Sequence, residues 1–365
     1  MQIIFALMQL AKQKRWWLTP LILILSIALL HVIAVYTNWI EKFYSTHIYV
    51  FISSLLRIVT GWIPFSIGDI LYGVAALYLL YKIIAFFRGR ITWQKFFLSL
   101  RDLIVKILWV YVYFLSAWGL NYYRYGIGYQ LDLDPKSYTT DDLKNVTSIL
   151  VTNLNATRKQ LDSSHFTYPD NKTIFDDATL LYDSVQHIYP FLSYNHHSIK
   201  KMLSGTIGNY SGFLGYYNPF TGEAQVNTVV PKFVIPFTTC HEMAHQIGYA
   251  SESEASFVGF LAVRNSNATM FKYSCYFDLF VFANSELYVR DSAAAKQNRN
   301  ALDSNVKKDM SEYRKYLLSY KNPIEPLLTK LYGNYLKAHN QPKGIDSYDE
   351  VVAWVVAYYK KYGNL

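Results

Sequence analysis

A chain of 365 residues can form two structural units with a substantial core, and 52% hydrophobic against 17% charged residues point to one of them being membrane-embedded. The net charge of +9 does not describe a nucleic-acid face, because residues 1–120 hold 11 Lys and Arg against 3 acids while the remainder is nearly balanced at 24 against 23. Two cysteines, Cys240 and Cys275, exclude a disulfide framework and read as buried thiols, with a single bridge as the alternative.

Residues 18–40 run without a formal charge, long enough to span about 30 Å of hydrocarbon at about 1.5 Å per residue. The length of this run, with no A-x-A-like site after it, favours an uncleaved signal-anchor over a signal peptide. His31 within it reads as a helix–helix contact. Residues 49–59 are apolar but short and carry Arg57, which suits a helix lying in the membrane interface. Further apolar stretches at 63–87 and 103–120 complete three expected spans, with Lys106 able to extend its stem to the headgroups. Ser66 followed by Asp69 resembles a capping box, which gives Asp69 a structural role at the start of the second span. Trp16, Trp17, Trp39, Trp118, Tyr122 and Tyr123 stand where an aromatic belt would place them.

Basic residues set the orientation. Lys12, Lys14 and Arg15 precede the first span, and Arg88, Arg90, Lys95 and Arg101 lie between the second and third. Only Lys42 and Arg57 occur in 41–62. The N-terminus and residues 88–102 are therefore expected in the cytoplasm, and everything after Tyr122 outside.

From Asn121 the pattern turns to mixed polar and apolar segments. Ser137-Tyr-Thr-Thr-Asp141 starts a predicted helix that continues to Leu161, and another covers 174–188. His196-His197 beside Asn195 reads as a solvated loop. Residues 212–230 alternate around the turn Asn218-Pro-Phe-Thr-Gly222, which predicts a hairpin. After Pro231 and Pro236, Thr238 or Thr239 is expected to cap the next helix. Further helices are predicted at 254–263, 270–288, 304–319, 326–338 and 348–362. The predicted fold is an α-helical membrane anchor over 1–120 and a mainly α (α+β) domain over 121–365, with a small sheet before the helix that carries the chemistry.

That helix contains His241-Glu-Met-Ala-His245. Residues four apart project from one helix face, so the two imidazoles can fill two corners of a tetrahedral metal site. Glu242, next to the first histidine, can reach a metal-bound water as general base. Gly248 marks a helix end, and Glu252 and Glu254 follow as candidate third ligands. Cys240 points to another face and reads as core.

His241-Glu-Met-Ala-His245-Gln-Ile-Gly248 followed by Glu252-Ser-Glu-Ala-Ser256 resembles the zincin metallopeptidases, in particular their Glu-ligand (gluzincin) branch. The resemblance implies one zinc ion, with Glu252 as third ligand opening an E-x-x-[AS]-[DN] pattern in which Ser256 replaces the acid or amide. The His-to-Glu separation is shorter than in most gluzincins, so Glu254 stays open as the alternative ligand. It also implies that the hairpin binds substrate backbone and that a Tyr or His stabilises the oxyanion. Tyr216, Tyr217 and Tyr249 are candidates for that role, and Glu223 and Asn227 are either structural or at the site. The wider order of spans, Pro64-Phe-Ser-Ile-Gly-Asp69, Pro219-Phe-Thr-Gly-Glu-Ala and HEMAHQIGYASESEA is similar to an uncharacterised bacterial membrane family of unknown function.

The expectation is therefore a zinc-dependent peptidase of the bacterial cytoplasmic membrane. Its partners would be a peptide or protein substrate and the lipid bilayer, and its catalytic domain would be extracytoplasmic. The alternative is a catalytically inactive, zinc-stabilised envelope module, against which the retained Glu242 argues. An intramembrane protease fits poorly with Lys232, Glu252 and Glu254 flanking the motif.

Overall fold

Among the described residues the fold is mostly helical, at 74%, with one small sheet of three strands that acts as a platform beside the helices and not as the core. The computed structural model describes residues 18–89, 92–135, 138–348 and 350–365. Lys12, Lys14, Arg15, Trp16, Trp17, Arg90 and Ser137 lie outside them.

The first helix, Leu18–Ala34, is followed after a short break by Thr37–Trp39, a π-helical stretch Ile40–Ile48 and the helix Tyr49–Gly61. The axis turns by 90° at that break. Residues 37–61 form an arm whose polarity is inverted. Tyr49, Ser53, Arg57 and Thr60 are buried against the rest of the protein, while Val50, Phe51, Leu55, Ile58 and Val59 are exposed. An ordinary surface helix has the reverse arrangement.

Ser66 Oγ accepts the Asp69 N–H at 2.8 Å and starts the helix Ile67–Phe87, as the sequence predicts. The Asp69 carboxylate does not close the box. It accepts instead from the N–H groups of Leu203 and Ser204 at 2.5 and 3.1 Å and from the Tyr216 hydroxyl at 2.5 Å. Glu223, from the sheet, accepts the free N–H groups of Ile67 and Gly68 at 3.0 and 2.6 Å. A carboxylate at a helix N-terminus satisfies donors that have no partner within the helix and complements its dipole. The first turn of this helix is thus fastened to the sheet from two sides.

Among the described residues, Ile67–Phe87 is long and apolar enough to cross a membrane, and Leu18–Ala34 with Thr37–Gly61 makes a second candidate only if the bent pair counts as one. The helix Trp93–Ala117 has the length, at 25 residues, but carries Lys95, Arg101, Asp102 and Lys106 and ends before Leu120. The expected three spans at 18–40, 63–87 and 103–120 thus become one or two candidates. Trp93–Ala117 packs on Leu18–Ala34, where His31 Nε2 meets the Tyr111 hydroxyl at 3.2 Å, the expected helix–helix contact. Trp118 is no belt residue. It is buried against Tyr49, Tyr217 and His245, with ring centroids 5.6, 4.5 and 6.0 Å away.

Thr139 and Asp142 form a capping box that starts Thr140–Ser163, and Asp170 caps Asn171–Val185. Glu252–Arg264, Thr269–Arg290, Ser304–Tyr320, Glu325–Ala338 and Val351–Tyr362 appear close to where apolar periodicity predicts them. Gly126–Leu131, Gly205–Ser211 and Ser292–Ala301 are additional helices of six to ten residues, too short to carry a clear periodicity.

The hairpin forms as β2 (Gly215–Asn218) antiparallel to β3 (Glu223–Val226), turning through Asn218–Gly222. A third strand, β1 (Ile199–Lys201), pairs in parallel with β3, so β3 is central and β2 is an edge.

Candidate metal centre

The motif lies on the helix Ile235–Gln246, whose apolar positions Cys240, Met243 and Ala244 are fully buried under Asn171–Val185, Glu252–Arg264 and Thr269–Arg290. Neither Thr238 nor Thr239 caps it. The helix begins at Ile235 with Pro236 in its first turn, and the two hydroxyls bond back to the carbonyls of Val234 and Ile235. Cys240 and Cys275 are both buried and free.

His241 and His245 face the start of Glu252–Arg264. Glu252 Oε2 lies 3.2 Å from His241 Nε2 and 3.3 Å from His245 Nε2, and the two nitrogens are 3.2 Å apart. Each outer ring nitrogen has its own partner: His241 Nδ1 meets Ser256 Oγ at 2.9 Å, and His245 Nδ1 donates to the Tyr249 carbonyl at 2.7 Å. Ser256 therefore makes the orienting contact at the position where the gluzincin pattern has an acid or amide. A carbonyl can only accept, so the proton of a neutral His245 sits on Nδ1 and its Nε2 presents a lone pair inward.

The two Nε2 atoms and one carboxylate oxygen thus converge with edges of 3.2–3.3 Å. Ligands at about 2.0–2.1 Å around a tetrahedral ion stand about 3.3 Å apart, so the donor set fits one face of such a centre. Among the described residues, this is the group of His, Cys, Asp and Glu whose atoms come together for a metal ion. Glu254 does not join it. Its carboxylate turns away and accepts the Ile127 N–H at 2.9 Å. His197 lies 3.8 Å from Asp183 and His196 is exposed, both away from the cluster.

The electrostatics favour a positive charge at the centre. Burial opposes a charged Glu252, but the two histidines hold its carboxyl well below the usual carboxylate range. Burial also opposes a charged His245, yet Glu252 and Glu242 raise it to about 9, while burial keeps His241 below its ordinary value. Glu242 is pushed up to about 8 by burial, and its Oε2 is buried without a hydrogen-bond partner. A nearby cation acts in the opposite sense to burial. Gly215 on β2 leaves the room that Glu242 occupies, since a Cβ there would stand 2.4 Å from Oε1.

His241, Glu242 and Ser256 line a cleft of about 650 Å³ whose rim includes Phe213 to Gly215, Tyr316 and Tyr332. Tyr332 donates to Glu252 Oε1 at 2.6 Å. Sequence reasoning misses this tyrosine because 80 residues separate the pair and no local motif marks it. The candidates it names instead are engaged elsewhere: Tyr216 with Asp69, Tyr217 with Tyr49, and Tyr249 with Gln130. Glu223 caps Ile67–Phe87, and Asn227 bonds to Gly205 and Asn209, so neither touches the cluster.

The C-terminal end of the motif helix is held by the arm. Carbonyls at a helix end lack intrahelical donors. The Tyr49 hydroxyl reaches those of His245 and Gln246 at 3.2 and 3.0 Å, and Arg57 Nη1 reaches Gln246 at 3.0 Å. Arg57 also donates to the carbonyls of His196 and Asn195. The helix stops at Gly248, whose φ of +100° and close approach to the Tyr49 ring admit no side chain. Arg124 donates to the Gly248 carbonyl and forms a buried pair with Glu41 at 2.7 Å. The loop that delivers Glu252 is thus fixed by Glu41, Tyr49 and Arg57 of the arm together with Arg124.

No curated protein and no solved structure matches this chain. The family described as "Protein of unknown function (DUF3810)" matches residues 44–356, and the chain belongs to that family.

Proposed function

We propose that the protein is a membrane-anchored zinc-dependent peptidase. The observation that carries this reading is the donor set itself: two imidazole nitrogens and one carboxylate oxygen at mutual distances of 3.2–3.3 Å, with an unpartnered Glu242 oxygen beside them. Two histidines and a glutamate leave one tetrahedral position open, which suits a catalytic and not a structural centre. A scaffold site has no use for a buried carboxylate without a partner, because such a group costs stability.

Zinc, when bound, supplies Lewis acidity that brings the pKa of a water molecule to about 7. Glu242 accepts the proton of the attacking water and returns it to the leaving amine. His241 and His245 are held in orientation by Ser256 and by the Tyr249 carbonyl, so their ring planes need no reorganisation. Tyr332 fixes Glu252 and stands on the cleft wall, within the region where a substrate carbonyl would sit. The edge strand β2 runs along the same cleft through Gly215 and offers backbone groups to an extended peptide.

The membrane part of the proposal rests on Ile67–Phe87, exposed along its length, and on the outward apolar face of the arm. In this reading Leu18–Ala34, Ile67–Phe87 and Trp93–Ala117 all cross the bilayer, so the N-terminus is cytoplasmic while the arm and the cleft lie on the extracytoplasmic side. A reporter after Tyr122 that behaves as cytoplasmic would reverse the orientation.

Glu242→Gln tests the chemistry. It should keep one zinc per chain and the parent's melting temperature but lower hydrolysis of a peptide library by at least about 10²-fold. A parent protein that hydrolyses no peptide, with Glu242→Gln equal to it in stability, would leave a zinc-stabilised module instead.

A further inference from the structure

Asp278, on Thr269–Arg290, lines the same cleft as His241 and Glu242. It also borders a recess of about 30 Å³ walled by Phe237, Phe277, Val281, Phe282 and Tyr313. The carboxylate is half-buried among aromatic and aliphatic groups, and among the described residues no hydrogen bond or ion pair engages it. Burial alone pushes its carboxyl up to about 7. An ionised carboxylate there gives up hydration with no hydrogen bond to replace it, which costs stability. An acid retained at such a position, opening onto a cleft, is a mark of recognition.

The cleft is rich in acidic residues. Glu242, Asp278, Glu325 and Asp346 line it, against Lys321 as the one lysine or arginine among its lining residues. Tyr313, Tyr316 and Tyr320 flank the same stretch and offer ring faces to an aliphatic stem or a cation.

We propose that Asp278 is a specificity-determining residue that pairs with a cationic side chain, lysine or arginine, of a peptide held in the cleft beside His241 and Glu242. The assignment rests on the peptide-substrate reading above. It adds the class of peptide: one with a basic residue near the bond that faces Glu242. Folding has already removed much of the water from this carboxylate, so pairing costs little further desolvation of Asp278 and the gain on binding exceeds that of an exposed ion pair.

The test uses the full chain carrying Glu242→Gln, so that bound peptides stay intact. Fluorescence anisotropy compares labelled peptides that differ at one scanned position by Lys, Arg, Met or Glu. At one position the Lys and Arg peptides should bind at least about tenfold tighter than the Met peptide. Adding Asp278→Asn should erase that preference while leaving the melting temperature equal or higher, which a purely structural carboxylate would not do. Asp278→Lys should shift the preference to Glu. No preference for a base at any position, no binding at all, or a preference that survives Asp278→Asn overturns the assignment. An Asp278-dependent preference in a chain that cleaves nothing removes the peptidase reading but keeps this one. Cleavage indifferent to Asp278 does the opposite.

Discussion

In the helices around the motif, apolar side chains point inward: Phe257, Phe260, Leu261 and Phe271 are fully buried. In the arm of residues 37–61 the sense is reversed, with Arg57 and Thr60 inward and Phe51, Leu55 and Val59 outward. The outward face matches an apolar medium, and the inward face supplies donors to the end of the motif helix. The arm and the His241–His245–Glu252 cluster are therefore one mechanical unit. The change in composition near Asn121 is not a boundary across which contacts are few.

The largest effect should follow from cutting at that compositional boundary. A chain beginning at Asn121 lacks Glu41, Tyr49 and Arg57, and it leaves Arg124 buried without its carboxylate. It is expected to bind no stoichiometric zinc and to melt without cooperativity by near-UV circular dichroism. A well-folded, zinc-loaded fragment would break the comparison outright.

Single substitutions grade the effect. Glu41→Ala breaks a buried pair whose side chains are 5–6% exposed and should cost about 3–5 kcal/mol in denaturation of the full chain in detergent. Arg57→Lys keeps the charge, but an ammonium cannot serve the three carbonyls of Asn195, His196 and Gln246 together, so a loss of about 2 kcal/mol is expected. Phe51→Ser lies on the outward face and should change folding stability by less than about 0.5 kcal/mol while weakening partition into vesicles. A large folding penalty at Phe51 would place that face against protein.

What the sequence makes legible follows the range of each interaction. The spacing of His241 and His245 is set by one helical turn, and the Ser66 cap and the 218–222 turn are equally local, so all three can be read directly. The choice between Glu252 and Glu254 is less local. It depends on how the helix after Gly248 packs, and in the structure Ile127 takes up Glu254 while Glu252 turns to the histidines. Ser256 is marked by the pattern as a departure, but only the packing of its helix on the motif helix shows its hydroxyl meeting His241 Nδ1. Tyr332 and Arg57 are invisible from sequence, since their partners lie 80 and 189 residues away. Hydropathy marks three spans, whereas the charges in Trp93–Ala117 and the bend after Ala34 leave one or two helices among the described residues long and apolar enough to cross, because both features matter only once helix limits are known.

In the proposed function His241, His245 and Glu252 hold one zinc ion in the intact protein. Metal analysis of the full chain, compared with Glu252→Ala and Glu254→Ala purified in parallel, tests it most directly. One zinc per parent chain, substoichiometric zinc in Glu252→Ala and full occupancy in Glu254→Ala are expected. Full occupancy in Glu252→Ala, or loss confined to Glu254→Ala, would contradict it.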